Sequence, residues 1–120
     1  MIGVEVEDLV IMGDSAGGGL ATQLVYWLIE NKFKVPNLIV SCYGAFSLKK
    51  DSHTGSMIRN MKDHLLSFSS MKACHDHYVP KNADFNNDYY ISAIMAPDEI
   101  IKKMPKFRLY TCLSDPLADD

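Results

Sequence analysis

Leu9-Val10-Ile11-Met12-Gly13-Asp14-Ser15-Ala16-Gly17-Gly18-Gly19-Leu20 is the stretch that decides how this chain folds. An apolar run ends at Met12, a serine stands between two glycines, and Leu20, Leu24, Trp27 and Leu28 then recur at helical spacing. Strand, sharp turn and helix, with Gly-x-Ser-x-Gly at the turn, is the context of a nucleophile elbow. The turn forces the serine backbone into a strained conformation that a flanking side chain would crowd, so glycine is wanted two residues to each side. Ser15 is thereby the candidate nucleophile. It stands at the carboxyl end of the strand, with the positive end of the helix beneath it and the amide N–H of Ala16 open to a developing oxyanion.

Outward from the turn, Asp8 to Met12 reads as a short buried strand and Ala16 to Lys32 as a helix, the opening half of a βαβ unit. Gly17, Gly18 and Gly19 each cost a helix about 1 kcal/mol against alanine, which points to close backbone approach there. Pro36 closes the connection, and Asn37 to Tyr43, carrying Leu38-Ile39-Val40, reads as a second parallel strand. Ser47 to Ser56 is polar and reads as a loop. Met57 to Tyr78 shows weaker helical patterning, with Ser69 or Ser70 as N-cap and Pro80 as its end. After a polar loop from Lys81 to Asp88, Pro97-Asp98-Glu99 opens a short helix that Pro105 stops. Phe107 to Leu113 is the third strand, delivering Ser114-Asp115-Pro116-Leu117 to its carboxyl end. The expectation is an α/β fold in one domain, residues 1–120, with three parallel strands and flanking helices. Ligands of such sheets bind at the carboxyl ends of the strands, where Ser15 and Asp115 both fall. A carboxylate there can orient a histidine that takes the serine proton.

Twelve basic against fifteen acidic residues give a net charge of −3, and no basic patch with interleaved aromatics is present, so nucleic acid is not an expected partner. The apolar runs are too short for a transmembrane segment, and Glu5, Glu7 and Asp8 near the start do not form a signal peptide. Cys42, Cys74 and Cys112 are an odd set, two of them in apolar strand-like runs, so a reducing, cytoplasmic location is expected.

Elbow hydrolases carry serine, acid and histidine in that chain order. His53, His64, His75 and His77 all precede Asp115 and read as surface residues rather than as the base. Cys74-His75-Asp76-His77 lacks the second ligand pair of a zinc site, so no metal is expected. Gly13 and Gly18 have P-loop spacing, but Gly19 and Leu20 replace the lysine and hydroxyl that phosphate and magnesium need; the dinucleotide pattern of Gly17 and Gly19 fails at Thr22. No cofactor is therefore expected. Asp119 and Asp120 rival Asp115 as the acid, whose alternative role is to form a turn before proline. Tyr89 and Tyr90 read as core packing, with an acyl pocket as the alternative.

Gly13-Asp14-Ser15-Ala16-Gly17-Gly18 and Asp115-Pro116-Leu117-Ala118-Asp119-Asp120 together resemble the paired signatures of the hormone-sensitive lipase family of α/β-hydrolases. Lys34-Val35-Pro36, Asp88-Tyr89-Tyr90-Ile91-Ser92, Met95-Ala96-Pro97-Asp98 and Met104-Pro105 are similar to the corresponding stretches, and the likeness is loose only from Ser47 to Asp84. The resemblance implies a partial α/β-hydrolase fold, with Ser15 as acyl-accepting nucleophile, the Ala16 N–H as oxyanion donor and Asp115 as triad acid. It implies ester substrates, acylglycerols and other lipids among them. Gly19 departs from the family's frequent asparagine, Gly44 from a proline after the second strand, and Ala93 from a proline after the serine. The family's upstream His-Gly-Gly loop and its histidine beyond the acid have no counterpart here. The chain is accordingly expected to be the central part of a catalytic domain, inactive alone. The alternative is an inert fragment or pseudo-enzyme that acts by association or ligand binding through unpaired outer strands.

Overall fold

Branched apolar residues at Val10 and Ile11, and at Leu38, Ile39 and Val40, favour extended backbone, and a computed structural model, describing residues 6–48 and 54–119, pairs them side by side. In chain order the elements are β1 (Val10–Asp14), α1 (Ala16–Glu30), β2 (Leu38–Cys42), α2 (Gly55–Arg59), α3 (Phe68–Tyr78), a 3-10 turn (Ala93–Met95), α4 (Asp98–Ile101) and β3 (Lys106–Tyr110). The sheet order is β1-β2-β3, all parallel, with Val10 opposite Leu38 and Leu38 opposite Lys106. Three parallel strands with flanking helices, as read from the sequence, are what the chain forms.

The boundaries differ for local reasons. β1 runs two residues past Met12 because Gly13 and Asp14 continue the ladder opposite Ser41 and Cys42. β3 stops at Tyr110 rather than Leu113, since Tyr110 pairs with Cys42, the last residue of β2. Met57 to Tyr78 is not one helix. Asp63 accepts the N–H groups of Leu65 and Leu66 at 2.8 and 2.7 Å, a local turn that competes with helix and separates α2 from α3. The cap of α3 is Ser67, whose hydroxyl accepts the Ser70 N–H at 3.2 Å, in place of Ser69 or Ser70. Thr54 caps α2 in the same way, accepting from Met57, so helix begins inside the stretch read as loop.

One face of α1 lies on the sheet. Ala21 and Val25 pack against Ile39, with Ile11, Ile29, Val35 and Met104 around them. A second cluster joins Tyr26, Phe46, Ala93 and Ile100. The Tyr26 hydroxyl donates to the Ala93 carbonyl at 3.1 Å, which satisfies a group whose burial raises its pKa. Strand alternation sends Ile39 and Ser41 toward α1, and Leu38, Val40, Val10 and Met12 toward the opposite face. Among the described residues α1 is the helix in extensive contact with the strands. Met12 is left 70% exposed and Val10 54%.

The start of α1 sits on the loop after β2. A Cβ on Gly18 would lie 2.3 Å from Ser41 Oγ and 2.9 Å from the Gly44 Cα. One on Gly19 would lie 2.3 Å from the Ala45 carbonyl oxygen. The close approach expected from three glycines in a first turn is therefore real, at the second and third of them. Ser41 is fully buried in this contact, and its hydroxyl has no hydrogen-bond partner among the described residues.

At the other end of α1 the Tyr89 and Tyr90 hydroxyls donate to the two carboxylate oxygens of Glu30. Fifteen helical residues span about 22 Å. The tyrosine pair thus stands far from Ser15 and does not line a pocket beside it. Both rings pack, Tyr89 edge-on to Tyr26 with centroids 5.8 Å apart and Tyr90 against Tyr89 at 5.0 Å, with Tyr90 36% exposed. The hydrogen bonds hold the Glu30 carboxyl below its usual range. The Tyr89 phenol is raised chiefly by its bond to Glu30, the Tyr90 phenol chiefly by desolvation.

Two outcomes follow in equilibrium unfolding. Ser41→Ala, which removes an unpaired buried hydroxyl, should leave stability unchanged or raise it by up to about 1 kcal/mol, whereas Gly18→Ala should lower it by about 1–3 kcal/mol through overpacking; urea midpoints measure both. The Glu30 clasp stabilises the fold above the carboxylate's unfolded pKa, and that contribution is lost as pH falls through the depressed folded value. The phenols contribute below their unfolded pKa and lose it as pH rises through their raised values. The melting-temperature gap between the parent and Glu30→Gln should therefore be widest near neutrality and close toward strongly acid and strongly alkaline pH.

Candidate active site

Ser15 lies at the junction of β1 and α1 with φ 49° and ψ −123°. A non-glycine residue in such a region costs of order 1–3 kcal/mol and persists only where its surroundings over-determine it. They do so here. The Ser15 N–H donates to the Cys42 carbonyl at 2.9 Å, extending the β1–β2 pairing into the turn. Its carbonyl accepts from Gly18 at 3.0 Å and from Ala45 at 3.1 Å, bonding it both to α1 and to the loop after β2. A Cβ on Gly13 would fall 2.2 Å from the Gly17 carbonyl oxygen, so strand and helix can meet at this angle only over glycine. Gly17 is different: a Cβ there would touch only Asp14 Oδ1, at an ordinary 3.8 Å. The requirement for glycine on both sides of the serine is thus corrected to Gly13 in the strand and Gly18 and Gly19 in the helix.

Ala16 opens the helix and is exposed. Its N–H has no acceptor among the described residues, and neither has the Ser15 hydroxyl. An unengaged hydroxyl therefore sits beside an unengaged amide at the positive end of a helix of four turns.

Beyond β3 the chain turns, the Asp115 N–H donating to the Cys112 carbonyl at 3.1 Å. Asp115 Oδ1 accepts the Leu117 N–H at 2.8 Å, and Oδ2 carries no hydrogen bond among the described residues. The rival Asp119 is occupied: it accepts the Ser56 N–H at 2.7 Å, and hydrogen bonding to Ser56 holds its carboxyl below the usual range. Asp120 lies outside the described residues. Ser56 is buried and donates its hydroxyl to the Pro116 carbonyl at 3.1 Å while accepting the Asp119 N–H at 3.2 Å. Asn60 donates to the Asp115 carbonyl at 3.3 Å. Sequence reasoning missed Ser56 and Asn60, which are 63 and 55 residues from their partners; the capping Thr54 was the available hint that a helix, not a loop, begins there.

Between the two ends stands Tyr43, the residue after β2, with φ 43° and its N–H donating to the Tyr110 carbonyl at 2.6 Å. It lines a concavity with Gly44, Phe46, Leu109, Asp115 and Leu117. Ser15 is not part of that lining, and no hydrogen bond joins Ser15 to Asp115. Their strands flank β2, which sets the strand ends about 9.5 Å apart. His75 Nε2 donates to the Leu48 carbonyl at 2.8 Å with its ring stacked on Phe85, and His77 Nδ1 donates to the Ala73 carbonyl at 2.7 Å. Neither these nor His64 hydrogen-bonds Ser15 or Asp115, and His53 lies outside the described residues. No group of three or more His, Cys, Asp or Glu among the described residues could hold a metal ion, and no described helix is long and apolar enough to cross a membrane.

Two departures from the family pattern prove to be neighbours. Gly19 rests on the Ala45 carbonyl, and a Cβ on Gly44 would lie 2.3 Å from Ser41 Oγ and 2.7 Å from the Phe46 ring. A side chain on Gly19 would push the loop away from the helix, and one on Gly44 would collide with Ser41 and Phe46. The third, Ala93, is buried and takes the Tyr26 hydrogen bond on its carbonyl.

A family model described as the alpha/beta hydrolase fold matches residues 1–120. No curated protein sequence matches the chain. Among solved structures, carboxyl esterase 2 of the mycorrhizal fungus Tuber melanosporum is similar at 21% identity and a TM-score of 0.88, over 98% of this chain and 38% of that one. A thermostable esterase from Pseudomonas putida ECU1011 is similar at 23% identity and 0.83, over 92% and 34%. An alpha/beta hydrolase from the metagenome of Lake Arreo, Spain, is similar at 26% identity and 0.76, over 92% and 33%. The chain spans about a third of the length of these structures, which share its fold. With the family match running through every residue from 1 to 120, this chain belongs to the α/β-hydrolase fold family.

Proposed function

We propose that Ser15 is the nucleophile of a serine carboxylic-ester hydrolase of the hormone-sensitive lipase type, with acylglycerols or other acyl esters as substrates. The observation that carries this is the backbone of Ser15: a left-handed serine, held from three directions, beside an unengaged helix-terminal N–H. Strain of this kind collects where it serves a site. The esterase names among the similar structures support the reaction class.

In this reading a histidine brought by the rest of the catalytic domain removes the Ser15 proton, and Oγ attacks the acyl carbonyl. The developing oxyanion is met by the Ala16 N–H, and collapse expels the alcohol with the proton returned by the histidine. Water then repeats the sequence and releases the acid. Asp115, with one carboxylate oxygen unengaged, orients and supports the imidazolium. Losing the histidine of such a triad costs about a factor of 10⁶ in turnover, and each lost oxyanion donor about 10² to 10³. Residues 1–120 alone should turn over esters poorly.

A second reading, association or ligand binding without catalysis, draws on the exposed apolar face of β1, with Val10 and Met12 uncovered. One experiment separates the two. On prolonged incubation with a fluorophosphonate the chain should gain a single adduct on the peptide containing Ser15, and Ser15→Ala should gain none, while hydrolysis of p-nitrophenyl butyrate stays slow. An adduct that persists in Ser15→Ala contradicts the assignment of the nucleophile. No adduct, with concentration-dependent self-association in sedimentation, would favour the second reading.

A further inference from the structure

Three aspartates end this chain, and the two that can be placed do different work. Asp115 bears a carboxylate with one engaged oxygen at the concavity beside Tyr43. Asp119 faces α2, where its carboxylate accepts the Ser56 N–H and its own N–H donates to the Ser56 hydroxyl. Ser56 is only 3% exposed and is fully subscribed: its Oγ donates to Pro116, accepts from Asp119 and lies 3.2 Å from Thr54 Oγ1. Asn60, one turn later on the same short helix, holds the Asp115 carbonyl. The Arg59 side chain adds a favourable charge near Asp119.

We propose that Ser56 is a positioning residue for Asp115, with α2 serving as the template on which the acid-bearing turn from Asp115 to Asp119 is set and Asp119 as its locking group. The proposal rests on the reading of Asp115 as the acid of a hydrolytic site. A five-residue helix cannot stand by itself in water, so its presence against this turn calls for a tertiary reason. The reason available is the set of hydrogen bonds just described, which fix the carbonyls of Asp115 and Pro116 and the amide of Asp119. With both ends of the turn fixed, the Leu117 N–H is held on Asp115 Oδ1, and Oδ2 is left without a hydrogen bond among the described residues. Asp119, though of the same type and four residues on, is withdrawn from chemistry by this contact.

The test uses the 120-residue chain and a readout independent of turnover, so that it succeeds or fails whether or not Ser15 reacts. The Leu117 amide exchange rate and the Asp115 carboxyl carbon shift are measured by NMR at neutral pH in the parent, Ser56→Ala, Asp119→Ala and Asp119→Asn. Losing the clasp should speed Leu117 exchange roughly tenfold, the equivalent of one net hydrogen bond, and move the Asp115 signal, in both alanine variants. The amides of Val25 and Ile39 should keep their protection. Asp119→Asn retains an oxygen that can accept the Ser56 N–H and should stay close to the parent. An unchanged Leu117 and Asp115 in both alanine variants would overturn the proposal. So would a uniform loss of protection that includes Val25 and Ile39, or an Asp119→Asn as perturbed as Asp119→Ala.

Discussion

The left-handed backbone of Ser15 is the constraint on which the arrangement depends. With φ 49° at Ser15 the chain passes from β1 into α1, whose Ala21 and Val25 pack on Ile39 of β2. The conformation is unfavourable in isolation and is stabilised by what surrounds it. The Cys42 carbonyl takes its N–H, and Gly18 and Ala45 bond its carbonyl. Gly13 allows the Gly17 carbonyl to approach where any side chain would collide. The same turn that joins strand to helix leaves the Ser15 hydroxyl without a hydrogen-bond partner among the described residues.

From that turn the contacts spread to the next strand end. Gly18 and Gly19 bring α1 against the loop after β2, and Ser41 is trapped beneath with a hydroxyl that has no partner among the described residues. Tyr43 leaves β2 with a positive φ of its own, its amide carried to Tyr110 on β3. All three strand ends are thereby coupled by backbone hydrogen bonds. The acid-bearing turn is coupled instead by side chains, through Ser56, Asn60 and Asp119. Backbone hydrogen bonds thus hold the turn at Ser15, and side-chain hydrogen bonds hold the turn at Asp115.

Local patterns in the sequence disclosed a good deal. The strand-turn-helix at Ser15, the three parallel strands and the short helix after Pro97 were all legible, because each is written in consecutive residues by periodicity, glycine or proline. Helix boundaries between Met57 and Tyr78 were not. There Asp63 forms a turn through its own side chain, and of the serines at 67, 69 and 70 the helix uses the first as its cap. Gly17 looked as necessary as Gly13 because the pentapeptide is symmetrical, whereas the close contact is not. The links from Ser56 to Asp119 and from Glu30 to the tyrosine pair escaped altogether: they join residues about sixty apart, and no periodicity records such a pairing.

The most direct measurement is the backbone geometry of Ser15 in the isolated chain in solution, from three-bond couplings and residual dipolar couplings, together with the exchange protection of its amide. A positive φ near 49° with a protected N–H bonded to Cys42 is the expected result. A negative, helical or extended φ with a freely exchanging amide would show that residues 1–120 do not build the elbow, and the assignment of Ser15 would fall with it.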